Sequence, residues 1–349
     1  MSRKGRALRN ARPAGLGAGP PISKVRGPAD VAVIIPYLLG FQPAESLVLV
    51  ALEGPRKRFG PVLRVDLVDD PDLRPELTAQ VVGLAVSNHV PLALVVAFSD
   101  TSERADPLVG LVVESLAEHG VGLEDAFRTD GRRWWSYVCH DPQCCNPDGV
   151  PYDAGTSRVA AEAVVSGLSF VPDREALRSR FLPEDAGLRE EVGLEARFLR
   201  RTDPSVWPWS SSVPLEAKVT SALAAPSALT TREAAWIAVA VQPWAGQERA
   251  IALIDRANAA QHFELWRTVM CRVPDHLLPA VGCLAAFSAW LDGRGVLASH
   301  AVDKVLEVAP SHPFARSVAT MLAQAVNPRT WPERRERRDY KGQRQPPAS

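Results

Sequence analysis

Residues 91–129 read PLALVVAFSDTSERADPLVGLVVESLAEHGVGLEDAFRT, and the rhythm of this stretch decides the fold of the first half of the chain. Pro91 to Phe98 is a short unbroken apolar run, the pattern of a strand buried on both faces. Leu108, Leu111, Val112, Ser115 and Leu116 then recur at helical spacing until Gly120 ends the segment. Val121 to Thr129 resumes as a strand. Upstream, Leu73, Leu77, Val81 and Leu84 mark an amphipathic helix over 71–88. Ser46–Leu52 (SLVLVAL) and Val62–Val68 (VLRVDLV) form a hairpin with Arg56, Lys57 and Arg58 at its exposed tip. Pro28 and Asp30 suit a helix start, Val31–Leu39 is its buried body, and Gly40 ends it. Downstream, Arg132–Cys139 pairs with the preceding strand across Asp130–Gly131, a favoured two-residue turn, and Arg158–Leu168 is a last helix. This alternation predicts an α/β domain built on a mixed sheet over residues 22–170.

The pattern then changes. Residues 171–213 crowd mixed charges before Pro204, Trp207, Pro208 and Trp209, which predicts a linker with one or two surface helices and docked tryptophans. From 214 to 327 no strand pattern recurs and seven helical segments follow one another. Gly293, Ala298, Leu306 and Pro310 stand at the small, packing and terminating positions of a tetratricopeptide-type hairpin, in one unit without a repeat upstream. The expected fold class is therefore an α/β N-terminal domain with a mixed sheet, followed by an all-α, tetratricopeptide-like helical domain.

Net charge is formally zero but unevenly spread. Residues 1–21 carry five cations and no acid, and residues 328–349 carry seven cations against three acids, which leaves the body between them acidic. Both ends are rich in proline, glycine or charge and poor in anything to bury, so they read as disordered basic arms. An acidic body confines nucleic-acid contact, if there is any, to those arms. No signal-peptide apolar core follows the N-terminal cations, and no apolar run approaches the roughly 20 residues a bilayer requires. Five cysteines, an odd number, do not make a disulfide scaffold, and a reducing, cytoplasmic location is expected.

Chemistry concentrates in one place. Cys139 to Cys145 reads CHDPQCC and supplies four soft donors in seven residues. The adjacent pairs Cys139–His140 and Cys144–Cys145 suit a mononuclear zinc site poorly, and no second CxxC or HxxxH completes a set. Strand alternation places Cys139 with Trp135 and Tyr137 and points His140 the other way, so no base for Cys139 is built in. Arg132 or Arg133 would lower the pKa of Cys144 or Cys145 if they approached. A disulfide or redox pair of Cys139 with Cys144 or Cys145 is a further option. The plain alternative is a compact turn through Asp141–Pro142 and Asn146–Gly149 that uses the cysteines for packing. Cys139, Cys144 and Cys145 are the candidate redox or ligand-binding residues, and no catalytic, cofactor-binding or metal residue is assigned. Asp100, Thr101 and Ser102 follow a buried strand, where open sheets bind ligands or a helix is capped. Asp66, Asp69 and Asp70 read as solvated turn acids. His89, His119, His262, His276, His300 and His312 show no metal spacing, and no P-loop, GxGxxG, GxSxG or HExxH occurs.

The segments ISKVRGPADVAVIIPYLLGFQPAESLVLVAL (22–52), VLRVDL (62–67), RWWSYVCHDPQCCNPDGVPYD (133–153) and LAAFSAWLDGRGVLASHAVDKVLEVAPSHPFA (284–315) resemble the actinobacterial domain of unknown function 4192 family. The resemblance implies an actinobacterial cytoplasmic protein and a family-wide role for Tyr137, Cys139, Cys144 and Cys145. It implies no reaction and no cofactor. The expectation carried forward is a binding or interaction protein with a protein partner on its helical domain. The alternative is a cysteine-dependent enzyme, or a redox- or metal-responsive protein, working through Cys139–Cys145.

Overall fold

A computed structural model describes residues 25–139, 141–183, 185–203 and 215–332. The N-terminal basic arm, Trp207 and Trp209, His140 and the basic tail from residue 333 lie outside the described residues.

Pro28 starts helix α1 (Pro28–Leu39), and Gly40, in the left-handed conformation at φ 82°, ends it. Strands β1 (Ser46–Glu53) and β2 (Arg58–Asp66) form the expected antiparallel hairpin. They are followed by α2 (Arg74–Ser87), β3 (Leu92–Phe98), α3 (Ser102–Glu118), β4 (Gly122–Thr129), β5 (Arg133–Ser136) and the two-residue β6 (Val150–Pro151). The sheet order is β2-β1-β3-β4-β5-β6. Only β3 and β4 are parallel, joined by α3, so the sheet is mixed as its alternating elements predict.

β1 and β3 are buried on both faces, which is why they read as unbroken apolar runs. One face carries Leu47, Leu49, Val95 and Ala126 against Val81 and Val82 of α2 and Leu108, Val112 and Leu116 of α3. The other carries Val48, Val50, Leu94, Val96 and Phe127 and shares its core with α1 and the helices of the second half.

That half contains α4 (Arg158–Val165), α5 (Arg174–Ser179), α6 (Ala186–Thr202), α7 (Leu215–Ala222), α8 (Thr231–Ala240), α9 (Trp244–Ala252), α10 (Ala259–Arg272), α11 (Leu278–Leu291), α12 (Gly295–Val308) and α13 (Pro313–Ala323). The region 171–203 contributes more than surface helices. Asp173 and Asp185 cap α5 and α6, and α6 buries Val192, Ala196 and Leu199. In α11 every residue except Pro279 is buried, so this helix is apolar all round and serves as the axis of the helical region. Around the one tetratricopeptide-like unit, Gly293 at φ 79° turns the chain between α11 and α12, and Ala298 is fully buried. These positions build a single helical hairpin, and no repeat pattern is established beyond it. No helix among the described residues is long and apolar enough to cross a membrane.

Candidate functional site

The structure corrects the sequence reading where the chemistry lies. Strand β5 stops at Ser136 and does not reach Cys139. The Ser136 hydroxyl accepts the backbone N–H of Val138 at 3.2 Å and of Cys139 at 2.9 Å, and so bends the chain out of the sheet. The hairpin turn before it lies one residue further on than expected. Thr129 pairs with Trp134, the Asp130 N–H donates to the Arg133 carbonyl at 3.3 Å around Gly131–Arg132, and the Asp130 carboxylate accepts from the N–H of Arg132 and Arg133.

A second carboxylate turn follows. Asp141 Oδ1 accepts the Gln143 N–H at 2.9 Å, and the Asp141 carbonyl accepts from Cys144 at 3.1 Å and Cys145 at 2.7 Å. These bonds wind Cys144 and Cys145 back towards Cys139. The three sulfurs lie within 4.8 Å of one another. Strand alternation could not foresee this, because the turn, and not the strand, sets the directions of the side chains. Cys144 is exposed, and Cys139 and Cys145 are half-buried. His140 lies outside the described residues.

The far end of the loop is fixed to the sheet. Asn146 accepts the N–H of Asp148 through its side chain and of Gly149 through its carbonyl. Gly149 sits at φ 83°, and the position its Cβ would take is 2.5 Å from the Trp135 ring, so glycine is required twice over. Trp135 donates its indole N–H to the Pro147 carbonyl, and Arg133 donates to the carbonyls of Asp148 and Gly149. Arg128 stacks 3.8 Å from the centre of the Trp135 ring while donating to the carbonyls of Ser99 and Asp100. Arg133 therefore holds the turn through carbonyls. Pairing of β6 with β5 closes the loop.

Within this frame the thiols differ. The Asp141 backbone N–H and then the Cys145 and Cys144 thiols lower the pKa of Cys139 from its ordinary value. Burial and the neighbouring thiols push Cys145 up to about 12. The cluster thus favours a thiolate at Cys139 with Cys145 protonated beside it. Tyr137 donates its hydroxyl to Asp106 at 2.6 Å, and burial with that carboxylate raises its pKa well above the ordinary value. It acts as a strut of the loop.

The other candidates have structural uses. Thr101 stands at the start of α3 without capping it through its side chain, and Ser99 donates to Glu45 at 2.9 Å. Asp66 pairs with Arg64, Asp69 with Arg104, and Asp70 caps the turn before α2. Cys283 and His312 meet at 3.6 Å, a pair absent from the sequence reading. Burial pushes Cys283 up to about 12 and His312 down, while His312 Nδ1 accepts the Ala315 N–H at the start of α13. The pair is neutral and serves as a cap. Ser136 is the site residue that sequence reasoning missed, whereas Asp141 forms the turn that was read through Asp141–Pro142. Their signal is local: a hydroxyl three residues before Cys139, and a carboxylate three and four residues before the paired cysteines.

A family model described as Domain of unknown function (DUF4192) matches residues 28–329. No curated protein and no solved structure matches the chain.

Proposed function

The chain therefore belongs to the DUF4192 family, and from that premise we propose that it is a soft-metal-responsive thiol protein centred on Cys139, Cys144 and Cys145. The convergence of three sulfurs within 4.8 Å carries this reading. Zinc–thiolate bonds of about 2.3 Å place the sulfurs of a tetrahedral site roughly 3.8 Å apart, so a small contraction of the turn seats an ion. Thiolates select zinc or copper(I) over the hard cations. Cys139 supplies the first thiolate, Ser136 and Asp141 hold the turn, and Cys144 and Cys145 release their protons to solvent as the ion enters. Three protein donors leave a coordination position open to a further ligand.

A redox role for the same sulfurs is the second reading, favoured by the hydrogen bond between the Cys139 and Cys145 sulfurs. Either role suits a reducing cytoplasm, where free thiols persist. An actinobacterial host follows from the sequence resemblance alone. A partner surface on the helical region has weaker support, because its axial helix α11 is consumed by the core.

The test uses the full chain, purified under reducing conditions and titrated with zinc against a colorimetric chelator. One equivalent should bind, and each single substitution Cys139→Ser, Cys144→Ser or Cys145→Ser should weaken it at least tenfold, about 1.4 kcal/mol. Retention unchanged in the triple serine variant, or no retention by the parent chain, would remove the metal reading. Reversible loss of two thiols on mild oxidation, without metal binding, would transfer the site to the redox reading.

A further inference from the structure

A second site lies away from the thiols. Between the β1–β2 hairpin, α1 and the start of α12 runs a cleft of about 2120 Å³. This exceeds the roughly 300–1,000 Å³ of an ordinary small-molecule pocket. Its described lining carries nine cationic side chains against four acidic ones, in a chain of zero formal net charge. Three of the four acids are already engaged: Glu53 with Arg329, Asp66 with Arg64, and Glu124 with Lys57. Arg56 and Arg58 have no acidic partner among the described residues. The surplus charge favours an anion.

At one end of the cleft the surplus meets unsatisfied donors. Helix α12 begins at Gly295 with no capping side chain, and its first-turn N–H groups carry the positive end of a 14-residue helix. A Cβ at Gly295 would meet nothing within 4 Å, so the space beside those N–H groups is open. One turn further, His300 is only 5% exposed, lines the cleft, and its Nε2 has no hydrogen-bond partner. Arg294, also in the lining, has a buried Nη2 without a partner, although its Nε pairs with Asp292 at 2.5 Å and its Nη1 lies 3.9 Å from Glu264. The two residues share one aromatic wall: Arg294 lies 4.6 Å from the Phe263 ring centre, and Phe181 stands 6.1 Å from both Phe263 and His300. Arg174 borders the cleft from α5, 4.0 Å from Asp66, and its charge is felt at His300. A buried polar group without a partner costs on the order of 1–3 kcal/mol, so Arg294 Nη2 at the start of α12 and His300 Nε2 further along it, both lining the cleft, call for a ligand.

We propose that this cleft binds a phosphate-bearing organic anion, its phosphate seated on the N-terminus of α12 between Arg294, His300 and Arg174, and its body along the apolar wall. Phosphate suits the set because its several acceptor oxygens can serve backbone N–H, guanidinium and imidazole donors together, and its charge answers the local surplus. Leu52, Phe59, Leu94 and Val296 supply apolar surface to an organic body. The site is independent of the thiol cluster.

The test is calorimetric titration of the full chain with ATP and, separately, with inorganic phosphate, both in excess EDTA. ATP should bind saturably, and inorganic phosphate should compete, more weakly, for the same site. Gly295→Asp places a carboxylate in the open space and should weaken ATP binding at least tenfold, while leaving the melting temperature equal or higher, because an acid is favourable at a helix N-terminus. Arg174→Gln, at an exposed side chain, should weaken it severalfold without affecting folding. Inorganic phosphate binding as tightly as ATP would overturn the organic body of the proposal. No saturable binding of either probe up to about 5 mM, a ceiling near 3 kcal/mol of binding free energy, would overturn the site. ATP binding unchanged in both variants would overturn it as well.

Discussion

The chain holds its cysteines in two opposite ways. Cys139, Cys144 and Cys145 stand on a polar turn at the edge of the sheet, drawn together as their backbone N–H groups donate to the Ser136 hydroxyl and the Asp141 carbonyl. Cys271 and Cys283 sit in the apolar helices α10 and α11, where Cys271 is 3% exposed and Cys283 not at all. The first set includes a thiol whose pKa is lowered by a backbone N–H and by its neighbours, and burial pushes Cys283 up to about 12. The same side chain is thus a partly exposed thiol with a lowered pKa in the first place and a small hydrophobe in the second. Neighbouring hydrogen-bond donors and exposure decide the outcome.

Thiol labelling at pH 7 tests this contrast most directly. In the native chain the Cys139 cluster should react at least about 10³-fold faster than Cys271 and Cys283, whose labelling has to await opening of the helical core. Mass spectrometry of peptides after timed quenching reads both sets. Uniform rates would erase the distinction. Cys145→Ala should slow Cys139, because it removes one of the thiols that hold the Cys139 pKa down.

The regions should also part in acid. Burial, partly offset by the Leu253 carbonyl, pushes His262 down to about 4, and burial with Arg174 and Arg178 pushes His300 to about 4. A folded pKa below the unfolded value near 6.5 means that stability is fully present above pH 6.5 and is lost as pH falls through 4. Asp292 opposes this. Burial raises it to about 6, so its penalty acts above that pH and is relieved as pH falls. The balance predicts a net loss of about 2 kcal/mol between pH 7 and pH 5, read as a fall in the urea midpoint. His262→Leu should flatten that slope, and an unchanged slope would move the acid sensitivity elsewhere. The thiol turn contains no such buried histidine among the described residues.

The smallest effect sharpens the other side of the contrast. Ser136→Ala removes the acceptor for two backbone N–H groups at the turn and should cost about 1 kcal/mol of stability, since solvent can replace part of the loss. Cys139 labelling should slow severalfold as the sulfurs drift apart. A stability loss without any change in labelling would show that Ser136 shapes the turn without setting the thiols.

Much of the frame is legible in the residue order. The unbroken runs of β1 and β3, the amphipathic spacing of α2 and α3, and Gly40 as a helix end are local patterns, and local sterics and periodicity write them directly into residue order. The seven segments between 214 and 327 read as helices for the same reason. The packing of α6 through Val192, Ala196 and Leu199 was hidden, because its charged outer face dominates its composition. The cluster itself was half legible. The cysteines were visible, but extending β5 to Cys139 assigned their directions by strand alternation, and Ser136 ends that alternation with two hydrogen bonds. Cys283 beside His312, His300 beside Phe181 and Arg294 over Phe263 join residues from separate helices or turns, which spacing along the chain does not encode.

The sequence by itself determined which segments are strands and helices, and that one short stretch concentrates the thiols. The convergence of those three sulfurs follows from hydrogen bonds to Ser136 and Asp141 only a few residues away, whereas tertiary structure alone decided that His312 meets Cys283 and that unsatisfied donors gather at a cationic cleft. The physical reason is range: secondary structure follows from neighbours a few residues away, whereas a thiol's protonation and a donor's satisfaction depend on what packing places against it.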